Sequence, residues 1–190
     1  MLENNNLSTI VLAGGCFWRT EAVFKRLKGV QSVTSGYANS KAQTPSYEEV
    51  SSGGTNAAEA IQIQFDTIVI SLDKLLEIFW ATHDPTTLNR QGNDVGTQYR
   101  SAIFYESNEQ KIAAEESKKR FQRSGALQDR NIVTEISPLE NFHPAEKYHQ
   151  NYYEQNRDSN PYCPLVITPK IHKLLEKFNS EVKDEYKQEP

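Results

Sequence analysis

The chain has 190 residues, with 21 basic against 25 acidic side chains and a net charge of -4 at pH 7. At 37% apolar residues and a mean hydropathy of -0.69, with no apolar run approaching the length of a bilayer, it reads as one water-facing domain without a membrane-spanning segment. No basic patch that would grip a phosphate backbone is evident, which argues against nucleic acid as a partner, and 9 Gly with 8 Pro are too few for collagen-like or low-complexity sequence.

Ser8 to Gly15 reads as a short buried strand running into a Gly-Gly turn, and Cys16 to Lys28 as a helix with one apolar face, closed by Gly29. Val30 to Tyr37 is a second strand and Ala60 to Phe65, which alternates cleanly, a third. Between them, residues 38 to 56 are rich in turn formers and are expected to form a surface loop. Leu72 to Ala81 is an amphipathic helix with Ser71 as its cap, and residues 82 to 97 are loop. Tyr99 to Tyr105 returns to strand, Asn108 to Ser124 is a charged surface helix, and Ile132 to Ile136 a further strand. Pro144 to Asn156 reads as one helix, with Pro144 in its first turn. A helical turn or two after Lys170 fades into a charged tail. Strands and helices are interspersed throughout, so the expectation is a single α/β or α+β domain with a small mixed sheet.

Met1 to Leu7 lacks the positive and apolar regions of a secretory leader, so a cytoplasmic setting is expected. Two cysteines, Cys16 and Cys163, are too few for a disulfide scaffold or a four-thiol metal site. They can be structural thiols, a catalytic thiol with a bystander, or a redox pair. Cys16 follows a strand and a Gly-Gly turn at the start of a helix, where free N–H groups and the helix dipole favour a thiolate and lower the thiol pKa. Phe17 and Trp18 follow it as apolar walls. Cys163 lies between Pro161 and Pro164, which predicts an exposed, extended or turning segment able to reach an oxidised Cys16.

Glu59 stands among Ala57, Ala58 and Ala60, where a carboxyl is desolvated and its pKa raised. Tyr47, Asp94 and Tyr99 can add polar groups. Of the four histidines, His143 and His149 are six apart and no His-x-x-x-His pair occurs, so a helical zinc site is not supported; each is expected to be a capping or surface residue. Met1 is the single methionine, a hint that oxidisable thioethers are avoided. On these residues alone, a Cys–His hydrolase or acyltransferase and a non-catalytic redox sensor stand beside a thiol oxidoreductase.

Taken together, the motifs resemble the peptide methionine sulfoxide reductases of the A type. Gly15-Cys-Phe-Trp18 with Glu21 looks like that family's Gly-Cys-Phe-Trp-x-x-Glu pattern. In the family's order follow Gly36-Tyr-Ala-Asn39, Pro45-Ser-Tyr-Glu-Glu-Val50, Ser52-Gly-Gly-Thr55 and His83-Asp-Pro-Thr-Thr87. Then come Gly92-Asn-Asp-x-Gly-Thr-Gln-Tyr-Arg-Ser101 and Ala145-Glu-Lys-Tyr-His-Gln-x-Tyr152. The likeness spans about Ile10 to Lys173. It implies a ferredoxin-like two-layer sandwich, helices on one side and long functional loops, as one catalytic domain over 1–190 with a core at about 8–173 and a charged tail at 174–190.

The resemblance also implies roles. Cys16 is the nucleophile that attacks the sulfoxide sulfur. Glu59 is the acid at the sulfoxide oxygen, helped by Tyr47 and Tyr99, and Asp94 completes the polar side. Phe17 and Trp18 hold the substrate methyl group. Cys163 resolves a Cys16 sulfenic acid as a disulfide that thioredoxin reduces. The implied substrate is the S epimer of methionine sulfoxide, in peptides and also free, with no metal or organic cofactor, and a monomer is expected. Two departures stand out: Arg19-Thr20 replaces the usual small pair, and Asn56-Ala57 replaces the Gly-His that commonly precedes Ala-Glu.

Overall fold

The computed structural model describes residues 6–188. A six-stranded sheet is built from β1 (Leu7–Gly14), β2 (Val30–Ala38), β3 (Ala58–Asp66), β6 (Ser101–Tyr105), β7 (Glu135–Pro138) and β8 (Phe142–Pro144), in the order β7-β6-β1-β3-β2-β8. The inner pairings are antiparallel, and only β6–β7 is parallel. The chain crosses from β1 to β2 through α1 (Phe17–Phe24) and from β3 to β6 through α3 (Leu72–Thr82), so β3 lies between the strands that α1 joins. Two-residue strands β4 (Arg90–Gln91) and β5 (Asp94–Val95) form a separate hairpin in the segment expected to be loop.

Period-two alternation divides the sheet into two faces. Ile10, Leu12, Ile61, Ile63, Phe65 and Ile103 point into the main core. There they meet Phe17, Val23 and Phe24 of α1, Leu75, Leu76 and Phe79 of α3, Ala114 of α4 (Asn108–Arg123), and Leu174 and Phe178 of α6 (Thr168–Phe178). Each such side chain taken fully from water contributes roughly 1.5–3 kcal/mol. The opposite face carries Val11, Ala13, Ala58, Ala60, Ala102 and Phe104 under Leu139 and Phe142. Small residues there leave room for loops rather than a second helical layer.

Caps account for the helix starts. Ser71 Oγ accepts from the Lys74 N–H at 3.1 Å, as the sequence predicts, and Ser107 caps α4 through the Gln110 N–H. In the 38–56 segment a short helix α2 (Tyr47–Ser51) appears within the expected loop; its capping box pairs Ser46 with Glu49 in both directions.

Four expectations are corrected. Residues 144–156 are not one helix: Pro144 ends the edge strand β8, and Asn151, at φ 54°, breaks the chain before α5 (Tyr152–Asn156). The strand placed at 132–136 lies at Glu135–Pro138, because Thr134 is held from the side by Ser101 Oγ and Val133 donates to the Pro85 carbonyl. Cys163 is fully buried and begins a π-helical turn (Cys163–Ile167) that runs into α6; Pro164 occupies its first turn, where no N–H is required. The chain packs beyond residue 174, with Leu174 and Val182 fully buried and Val182 bridged to Leu27.

Candidate active site

Cys16 sits where β1 ends and α1 begins. Gly15 makes the turn at φ 92°, and a Cβ there would lie 2.2 Å from Arg19 Nη2, so only glycine fits. The Cys16 carbonyl accepts from the Arg19 N–H at 3.2 Å, and the side chain is 7% exposed. The lowered thiol pKa expected from the helix start is corrected. Burial, and then the Glu59 carboxylate, push the thiol above its ordinary range, while Arg19, the Trp18 N–H and the Tyr162 hydroxyl oppose them.

Glu59 is brought to the same place by β3, whose register sets it opposite Tyr37. It is 1% exposed, and its Oε2 accepts from the Phe17 N–H at 3.1 Å. Burial pushes it up to about 8; the Phe17 N–H opposes this, Asp94 adds to it, and Arg19 opposes it. The raised carboxyl expected from its small apolar neighbours is therefore present. The departure just before it also has a place: Asn56 adopts φ 57°, the left-handed region that Gly favours and Asn tolerates.

Tyr47, the first residue of α2, and Tyr99, at the end of a 3-10 turn (Thr97–Tyr99), both face this pair. Burial raises each hydroxyl, and the charges of Glu59 and Cys16 add to it. Asp94 on β5 accepts from the Tyr162 hydroxyl at 2.7 Å, which places that hydroxyl between the carboxylate and Cys16.

The apolar side is an aromatic wall. Trp18 stacks on Tyr152 at 3.7 Å between centroids, and Tyr162 meets it edge-on at 5.9 Å. Phe17, 1% exposed, lies 5.0 Å from the His149 ring, and Tyr47 lies 4.6 Å from the same ring. Trp18 Nε1 donates to His149 Nδ1 at 3.0 Å, which leaves the imidazole proton on Nε2; that atom is buried and has no hydrogen-bond partner among the described residues. Burial holds His149 below its ordinary pKa, so it is neutral at pH 7, with Glu146 opposing. Glu21 supports the wall from beneath: its carboxylate accepts from the Asn151 and Tyr152 N–H groups at 2.8 and 3.3 Å, fixing the turn that carries Tyr152.

Cys16, Phe17, Trp18, Tyr47, Glu59, Asp94 and Tyr99 thus converge from five segments of chain. Cys163 belongs to a buried cluster with Ala22, Tyr153, Ile167 and Ile171, against which Trp18 and Tyr162 pack; both cysteines are free thiols. Sequence reasoning missed Arg19, His149, Tyr152 and Tyr162. Three of these stand inside or beside motifs already singled out, but nothing local distinguishes a buried Arg or His from an exposed one. The histidine expectation holds for exposed His172 and for His83, the C-cap of α3, whose ring meets the Phe79 carbonyl and Ser101 Oγ at 2.6 and 2.7 Å, whereas His149 is buried within the aromatic wall.

The family model described as peptide methionine sulfoxide reductase matches residues 8–183. The chain is 51% identical to the peptide methionine sulfoxide reductase MsrA of Acinetobacter baumannii (strain SDF), over 92% of this chain and 98% of that one. It is 52% identical to the protein of the same name from Sulfolobus acidocaldarius, over 90% and 96%. Among solved structures, Mxr1 from Saccharomyces cerevisiae in reduced form is similar with a TM-score of 0.77 at 35% identity, covering 86% of this chain and 93% of that chain. Mxr1 in complex with Trx2 gives 0.56 at 27% identity, over 80% and 88%. The matched span takes in the whole site from Cys16 to Cys163, and on that ground the chain belongs to the peptide methionine sulfoxide reductases of the A type.

Proposed function

We propose that this enzyme reduces the S epimer of methionine sulfoxide, in peptides and as the free amino acid, through Cys16 and Cys163. The thiolate of Cys16 attacks the sulfoxide sulfur while its oxygen takes a proton from Glu59. Oxygen and proton end on Cys16 Sγ as a sulfenic acid, and methionine leaves, reduced by two electrons. The Cys163 thiol then displaces that hydroxyl as water, closing a Cys16–Cys163 disulfide that a thioredoxin dithiol reduces.

The observation that carries this reading is a buried carboxyl held beside the thiol by the Phe17 N–H, its pKa pushed up to about 8 by that burial. While Glu59 is protonated, its charge no longer opposes ionisation of Cys16, and the same proton is available to the departing oxygen. Tyr47 and Tyr99 add hydroxyl donors that remain protonated, Asp94 orders Tyr162, and Phe17 with Trp18 encloses the methyl group. Thioredoxin as reductant is supported by the yeast relative's complex with Trx2. Two free thiols suit a reducing, cytoplasmic setting, in which we take the protein to work as a monomer. The strand order β6-β1-β3-β2, antiparallel throughout and crossed by α1 and α3, supports a ferredoxin-like description of the central four strands of this single catalytic domain.

The test is reduction of a peptide carrying S or R methionine sulfoxide with thioredoxin, its reductase and NADPH. Turnover of the S epimer alone, lost in Cys16→Ser, is the expected result. Equal turnover of both epimers, or activity surviving in Cys16→Ser, contradicts the proposal.

A further inference from the structure

Arg19 is the residue by which this chain departs from the small side chain usual in the family's pattern, and its side chain is only 3% exposed. Nη2 donates to the Gly14 carbonyl and lies against Gly15, so the guanidinium is tucked under the turn that carries Cys16. Nε is buried without a hydrogen-bond partner, and among the described residues no carboxylate forms an ion pair with the group. Arg26, seven residues further along and just past the end of α1, is equally buried but is ion-paired with Glu154 at 2.7 Å. An unpaired buried cation is costly, and capping one carbonyl does not require a charge.

The surroundings sharpen the point. His83 at the end of α3 is buried and held neutral at pH 7, and Lys170 of α6 brings a second cation near Arg19. Asp84 is engaged by Arg130 at 3.3 Å. The acidic groups facing Cys16 are Glu59 from β3, Asp94 from β5 through Tyr162, and the hydroxyls of Tyr47, Tyr99 and Tyr162. Cys16 and Glu59 are therefore the ionisable neighbours on which the positive charge of Arg19 acts.

We infer that Arg19 is a positioning residue, a buried cation beneath the Gly14-Gly15 turn that stabilises negative charge on Cys16 Sγ. The inference rests on the reading of Cys16 as nucleophile. Arg19 acts on Glu59 in the same sense, favouring its charged form, so its loss moves both titrations upward.

The experiment is a pH titration of the full chain labelled with [3-13C]cysteine, the Cβ shift reporting thiol against thiolate, with Cys163→Ser assigning the Cys16 signal. Arg19→Met, and Arg19→Gln should the first fold poorly, are expected to move the Cys16 titration up by about one unit, the low end for loss of a neighbouring opposite charge. That is roughly a tenfold loss of thiolate at a given pH below the midpoint. Arg19→Lys is expected to restore most of it. A Cys16 titration unchanged in both neutral variants overturns the inference, as does a shift in Arg19→Lys as large as in Arg19→Met, since either outcome assigns Arg19 to packing. The readout needs no turnover, so methionine formation by Cys16→Ser would sink the nucleophile reading separately.

Discussion

The Phe17 N–H donates to Glu59 Oε2 at 3.1 Å, joining the first residue of α1 to β3 across 42 positions of sequence. One hydrogen bond thus fixes the acid relative to the thiol that immediately precedes Phe17. The N–H also stabilises the charged carboxylate, which holds the Glu59 pKa near neutrality instead of letting burial drive it higher. An acid of this strength can give up a proton at pH 7 and regain it before the next turnover.

Glu59→Gln keeps the shape of the side chain and removes the proton. Its kcat is expected to fall about 10²–10⁴-fold, the range for loss of a positioned acid, with little change in KM. In the wild type, activity is expected to decline as pH rises through about 8, where Glu59 loses its proton. Stability follows the same titration. Between the unfolded carboxyl pKa and about 8 the folded state binds the extra proton, so wild-type stability decreases with rising pH over that window, by on the order of 5 kcal/mol in total. Denaturant unfolding at pH 5 and pH 9 checks this: Glu59→Gln should lack that part of the decline, and parallel pH profiles for the two proteins would contradict it.

Substitution of Trp18 can separate its proposed contact with the substrate methyl group from its hydrogen bond to His149. Trp18→Ala removes the wall stacked on Tyr152, and kcat/KM is expected to fall roughly 10–200-fold, the scale for loss of apolar contact with a small substrate group. Trp18→Phe retains an aromatic surface but leaves His149 Nδ1 without its donor, which costs about 1–3 kcal/mol of stability. Steady-state kinetics and thermal unfolding of the pair distinguish the two effects.

His83 caps α3, and its titration is expected to make the fold acid-sensitive. Burial lowers its pKa to about 3, while the Phe79 carbonyl opposes. As pH falls from about 6.5 the unfolded state takes up a proton that the folded state refuses, so stability decreases down to about pH 3. His83→Gln is expected to be less stable than wild type at pH 7, through loss of the Phe79 and Ser101 bonds, yet to lose less further stability between pH 6 and pH 4. Urea unfolding at pH 4, 5, 6 and 7 measures both slopes; identical slopes would show that His83 does not carry the acid sensitivity.

Local pattern was enough to read β1, the Gly-Gly turn, β3, α3 and α4, because the strands alternate or run apolar, the glycines punctuate, and the two helices carry serine caps. Glu59 was legible for a related reason, since three alanines around a carboxyl leave it nothing but burial. Elsewhere tertiary contacts overrode local signals. Asn151 breaks a helix-like pattern because Glu21, 130 residues earlier, captures its N–H. Two prolines made Cys163 look exposed, but Pro164 falls where a helical turn needs no donor. The spacing of Ile171, Leu174 and Phe178 was a readable helical stripe, overshadowed by the charges around it. The burial of Arg19 and His149 had no local signal, since it depends on what folds over them.

The most direct test is a single turnover without external reductant. Fully reduced enzyme is mixed with a peptide carrying S methionine sulfoxide, and methionine formed, free thiols and disulfide connectivity are counted together. About one methionine per chain, with both thiols lost to a Cys16–Cys163 disulfide, is the predicted result; in Cys163→Ser the methionine should still form while Cys16 stops as a sulfenic acid. Thiol loss without methionine, or methionine formed with both thiols intact, would contradict the account.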